Sequence, residues 1–113
     1  MQTRSWNWEE LTAGDFSRAV EDAQGVCVVP WGCIEKHGGH LPLGTDSLAG
    51  QALARAAAAL EPMVIYPFFY FGLINTALPQ PGTIAYSSRL LFEVMEETCS
   101  EIARNGMHAR LNQ

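Results

Sequence analysis

"GVCVVPWGCIEKHGGHLPLGTDSLAGQALARAAAALE", residues 25 to 61, holds a short apolar run, a loop crowded with carboxylates and imidazoles, and a long alanine-rich segment. The run "VCVVP", Val26 to Pro30, is β-branched, apolar at successive positions and stopped by proline, which suits a strand buried on both faces. "DSLAGQALARAAAALE" has high helix propensity from its alanines and leucines, and Asp46 or Ser47 stands where a side chain caps a first turn. A strand that passes through a loop into a helix is the opening of a βαβ unit.

The flanking segments extend the pattern. In "LTAGDFSRAVEDAQG", Thr12 with Asp15 three residues on resembles a capping box, and Phe16, Ala19, Val20 and Ala23 follow helical spacing, predicting a helix over 13 to 23 that Gly25 ends. "MVIYPFFYFG", from Met63, predicts a second buried strand interrupted by Pro67, and "LINTALPQPGT" predicts a loop. Ser87 or Ser88 opens a last helix that carries Leu90, Leu91, Val94, Met95, Thr98 and Ile102 on one face and stops at Asn105-Gly106. The order helix, strand, helix, strand, helix predicts an α/β fold of three layers, α/β/α, around a mainly parallel sheet. After Gly106 only "MHARLNQ" follows, too short and polar for a buried central strand. Residues 1 to 113 are therefore expected to form a single incomplete domain, truncated after the third helix.

Bulk properties narrow the function. The chain has 113 residues, about the length of one domain, with 48% hydrophobic and 17% charged residues. Its net charge of -5, with no cluster of Lys or Arg, would repel a phosphate backbone and argues against nucleic acid as a partner. No stretch is apolar enough for a membrane span and the first residues are too polar for a secretory signal, so a soluble, cytoplasmic chain is expected. Cys27, Cys33 and Cys99 are odd in number and lack C-x-x-C spacing, which reads as reduced thiols.

The loop carries the chemistry. In open α/β sheets reactive loops gather at the carboxyl ends of strands, where "WGCIEKHGGHLPLGTD" lies. Glu35 and His37 are two residues apart, so in an extended segment they face one side, and Asp46 returns to that place at the start of the next helix. This set of oxygen, nitrogen and oxygen donors suits Zn²⁺, Mn²⁺ or Fe²⁺, and a carboxylate is able to bridge two such ions. Simpler readings compete. Asp46 taken alone is a helix N-cap, His40 a structural histidine bonding nearby backbone, Cys33 a small buried residue, Lys36 a solvated side chain and His108 a surface imidazole. The tryptophans and "YPFFYF" read as core. There is no P-loop lysine, no H-E-x-x-H and no G-x-S-x-G.

The ordered string "VPWGCIEKHGGHLPLGTD" resembles the signature of the creatininase (creatinine amidohydrolase) family, P-x-G-x-x-E-Q-H-G-P-H-L-P-L-x-T-D. "WNWEELTAGDF", "YPFFYFG", "PGTIAY" and "EIARNGM" are similar to further family segments, so the likeness covers nearly the whole chain. The resemblance implies a metal-dependent hydrolase of cyclic or linear amides, acting on a C–N bond other than a peptide, with an α/β/α fold assembled as a homohexamer. It further implies that Glu35 binds one metal, His37 a second and Asp46 both, that the ions are Zn²⁺ (or Mn²⁺ or Fe²⁺), and that His40 supports the ligands without touching metal. No separate catalytic acid or base is assigned. Lys36 and Gly39 depart from the Gln and Pro of the signature, and "LINTALPQ" lacks a histidine that many relatives carry, which leaves the substrate open. The family's N-G-H-G-G-N stretch and a later glutamate, which supply its remaining ligands, have no counterpart in this sequence. Weak or no activity is therefore expected of this length of chain. The alternative is a non-catalytic half-domain that associates with itself or with a full-length relative through its sheet edge and apolar face.

Overall fold

The computed structural model describes residues 4–72 and 79–112. Three helices, α1 (Ala13–Asp22), α2 (Thr45–Leu60) and α3 (Ser88–Arg104), alternate with three strands, β1 (Val26–Pro30), β2 (Val64–Ile65) and β3 (His108–Asn112). The strands form one parallel sheet in the order β2-β1-β3, with Cys27 opposite Val64 and Ala109. Its central strand is therefore the apolar run from which the loop of carboxylates and imidazoles departs.

Strand alternation decides what each face buries. Cys27 and Val29 of β1 and Val64 of β2 pack with Ala19 and Ala23 from the α1 side and with Ile102 and Met107 from the α3 side. Val28 and Ile65 point the opposite way, onto Ala54 and Ala58 of α2. The fold is thus the expected three-layer α/β/α arrangement, with α1 and α3 over one face and α2 over the other. Small alanines on α2 let that helix approach the sheet closely, while each buried Val or Ile contributes about 1.5–3 kcal/mol.

The helix ends follow their sequence signals at α1 and α3. Thr12 Oγ1 accepts from Asp15 N at 3.2 Å, and Ser87 Oγ accepts from Leu90 N at 3.2 Å. At the end of α3 the N–H of Met107 reaches the carbonyl of Ile102 and that of Gly106 the carbonyl of Ala103, the paired bonds of a Schellman turn. Gly106 takes φ +89° there, a left-handed conformation that an L side chain strains to adopt.

Three expectations are corrected. First, the segment after the third helix, judged too polar for a central strand, does form a strand: β3 pairs with β1 from Val26–His108 to Pro30–Asn112. Among the described residues β3 is an edge strand, where backbone bonds to one neighbour suffice and continuous apolar character is not required. Second, β2 is only two residues long. Tyr66 N still bonds Val28 O, but Pro67 has no N–H, and pairing resumes only where Phe69 N meets Pro30 O and Gly32 N meets Phe69 O. Third, α2 starts at Thr45 after Gly44, which offers no side-chain cap, so neither Asp46 nor Ser47 is the cap residue.

Of the aromatic run, Tyr66 and Phe69 pack against one core cluster and Phe68 against the other, whereas Tyr70 and Phe71 are exposed. The tryptophans Trp6, Trp8 and Trp31 are partly buried against the same core. The loop expected over "LINTALPQPGT" falls partly, at 73 to 78, outside the described residues, and its remainder from Pro79 is turn and extended chain.

Candidate metal centre

The loop from Trp31 to Gly44 leaves the carboxyl end of β1 and is pinned along its length. Glu35 N bonds Leu43 O at 3.0 Å, closing the loop on itself, and Ile84 N bonds Ile34 O at 3.0 Å, tying it to the segment before α3. Gly32 lets the loop meet α2: a Cβ there would stand 2.7 Å from Ser47 N and 2.8 Å from Ser47 Cα. Gly72 presses on the other side, where an added Cβ would meet Cys33 Cβ at 3.1 Å. Gly38 turns the chain at φ +69° just after His37.

These constraints bring donor atoms of Glu35 and Asp46 together with Cys33, and set His37 against Asp46 at the edge of that group. His37 Nδ1 lies 2.9 Å from the Glu35 carbonyl oxygen, which only accepts, so Nδ1 carries the proton and in the neutral ring Nε2 keeps its electron pair. Nε2 lies 3.2 Å from Asp46 Oδ1. The other oxygen of Asp46 has a different neighbour, Cys33 Sγ at 3.1 Å, and Cys33 Sγ is also 3.4 Å from Glu35 Oε2. Donor atoms of Cys33, Glu35 and Asp46 all lie within 4.8 Å of one another, a mixed donor set that suits a divalent transition metal.

Electrostatics follow from this crowding. The Cys33 thiol is pushed up to about 12, first by burial and then by hydrogen bonds to the Asp46 and Glu35 carboxylates. His37 is held above its ordinary value, first by the Glu35 carbonyl and then by Asp46, with burial opposing both. Negative charge thus dominates the cluster, which a cation would offset.

Cys33 and Asp46 border a surface cleft of about 630 Å³ whose other walls include Trp31, Leu53, Leu91 and Met95. Leu91 and Met95 come from α3, so an apolar wall faces the donors across the cleft. Position is the missing signal there: the spacing of Leu91 and Met95 marks them as one helix face without saying what it covers. Cys33 was legible and was underread, because it precedes Glu35 by two residues just as Glu35 precedes His37. Of the remaining loop groups, Lys36 is exposed as expected, and His40 is exposed with its ring against Gly38, making no hydrogen bond to the cluster among the described residues. Asp46, read alone as a cap, instead sits inside the first turn of α2 and turns both oxygens to the loop.

Known proteins share this fold. Creatinine amidohydrolase of Pseudomonas putida is 24% identical over 102 residues, covering 86% of this chain and 39% of that protein. A solved structure of creatininase in its manganese form superposes with a TM-score of 0.89 at 24% identity, over 96% of this chain and 44% of the other. A mutant creatininase of Zn-Zn type gives 0.89 at 23% identity, over 96% and 45%. The chain therefore spans less than half the length of the relatives it matches. The family profile described as creatininase (creatinine amidohydrolase) matches residues 9–111, nearly the whole chain, and on that match the chain belongs to the creatininase family.

Proposed function

We infer that the chain contributes the first part of a metal-dependent amidohydrolase site of creatininase type, residues 1 to 113 corresponding to the N-terminal half of the family's domain. The observation that carries this reading is Asp46 at the edge of the cleft, with His37 Nε2 and Cys33 Sγ against its different oxygens and Glu35 Oε2 3.4 Å from the same sulfur. A carboxylate with its two oxygens turned to separate neighbours is suited to bridging. In this reading Glu35 would hold one ion, His37 the other and Asp46 both, while His40, exposed against Gly38, would contribute only by packing within the loop. Zinc and manganese, the metals named for the matched creatininases, are the leading candidates, with iron(II) a third.

A divalent cation, when bound, supplies a lowered pKa for water and a positive charge beside a carbonyl oxygen. The chain's own residues prepare the place. The Glu35 carbonyl fixes the His37 tautomer, Glu35 and Asp46 supply the negative charge, and Leu91 and Met95 exclude water from one wall of the cleft. The substrate class is a small amide, cyclic or linear, cleaved at a C–N bond other than a peptide, in the cytoplasm, where three unpaired thiols are stable.

The test is hydrolysis of creatinine and a panel of small amides by the zinc- or manganese-loaded chain. At most weak metal-dependent turnover is expected, lost in Asp46→Asn together with metal binding, since loss of even a supporting partner costs about 10–100-fold. Turnover indifferent to Asp46→Asn or to chelator would contradict the reading. A second reading, a non-catalytic half-domain that associates with itself as a homo-oligomer or with a longer relative, is favoured by apolar side chains left outside: Phe92 is 72% and Leu60 87% exposed.

A further inference from the structure

We propose that Cys33 is itself a ligand of this site and sets its metal preference, drawing zinc in place of manganese. The inference rests on the metal reading above and adds a donor that neither the family signature nor the expected ligand set contains. Its geometry is specific. A tetrahedral ion with sulfur at about 2.3 Å and oxygen at about 2.0 Å holds those two ligand atoms about 3.5 Å apart. Cys33 Sγ is 3.4 Å from Glu35 Oε2, at that spacing, and 3.1 Å from Asp46 Oδ2, a hydrogen-bond distance that the sulfur would lengthen slightly on losing its proton to an ion. Gly72 fixes it there, since its backbone packs against Cys33 Cβ so closely that a methyl group would not fit at ordinary contact distance.

The other two thiols are placed differently. Cys27 is fully buried in the core and Cys99 is exposed on α3. Only Cys33 borders the cleft. On binding, the Cys33 S–H bond gives its proton to solvent and the freed electron pair goes to the ion. A thiolate is soft, which favours zinc, while manganese prefers carboxylate, carbonyl and water.

Cobalt(II), a spectroscopic stand-in for zinc, provides the test. The cobalt-loaded chain should show a near-ultraviolet sulfur-to-cobalt charge-transfer band that persists in Cys99→Ser and disappears in Cys33→Ser, while the visible cobalt bands remain. In the same variant zinc affinity should fall about tenfold or more, with manganese affinity changing much less. Cobalt bound without the band, or a band that survives Cys33→Ser, overturns the role of Cys33 and leaves the metal reading standing. No cobalt binding at all overturns both. If Cys33→Ser does not fold, zinc-edge X-ray absorption on the unaltered chain decides instead: a sulfur scatterer at about 2.3 Å is expected, and a shell of only oxygen and nitrogen overturns the proposal.

Discussion

His37 is held between unlike groups, a carbonyl oxygen that accepts only and a carboxylate that attracts a proton. Its charged form donates to both, so its pKa in the folded chain stands above the unfolded value. In the metal-free chain this contribution to stability is therefore fully present below the unfolded imidazole pKa and is lost as pH rises through the folded one. Metal binding has the opposite sign, because it needs the Nε2 electron pair that the proton occupies. Zinc affinity should accordingly rise more steeply below the His37 pKa, above the ordinary value of about 6.5, than beyond it, in addition to the rise that loss of the Cys33 proton imposes, and this change of slope should vanish in His37→Gln. Calorimetric titration over a pH series would show it, and the same pH dependence in the unaltered chain and in His37→Gln would count against His37 as a ligand. At this scale the sequence was most readable for Glu35 and His37, whose alternation in a loop needs no tertiary information. Asp46 was less so, since a carboxylate near a helix start is usually a cap, and only the turn of α2 toward the loop shows otherwise.

The junction of loop and helix α2 depends on one glycine and tolerates another being replaced. A Cβ on Gly32 would overlap backbone atoms of Ser47, which cannot rotate aside as a side chain would. Gly32→Ala should therefore destabilise the chain by about 1–3 kcal/mol and weaken zinc binding by moving Asp46 away from Cys33. Gly50, in the same helix, meets nothing within 4 Å, and Gly50→Ala should stabilise by about 0.5–1 kcal/mol through helix propensity and unfolded-chain entropy. Urea unfolding of the two variants measures both signs, and equal effects would contradict the packing described. Among the elements, α1 and α3 were legible from Thr12, Ser87 and their apolar faces, signals that act locally. β3 was not, because its stability comes from pairing with β1 and not from its own composition. The shortening of β2 had a visible cause in Pro67, though nothing local shows that pairing resumes at Phe69.

At the scale of the molecule, the apolar run of β1 lies between β2 and β3 and is covered by helices on both faces, which made the fold class readable from element order. What element order cannot convey is which helix faces remain uncovered. Leu48, Leu53, Leu60 and Phe92 are all more than half exposed. Such groups on α2 and α3 should drive association, and light scattering should give a mass above that of the 12.4 kDa chain, lowered by Leu60→Glu with Phe92→Glu. A monodisperse monomer would rule out the self-associating reading. The central claim, that the loop after β1 is a metal site, is tested most directly by elemental analysis of the chain purified without chelator. We expect about one or more equivalents of zinc or manganese per folded chain, lost in Asp46→Asn. A folded chain free of metal, even after incubation with zinc, or equal metal in Asp46→Asn, would contradict it.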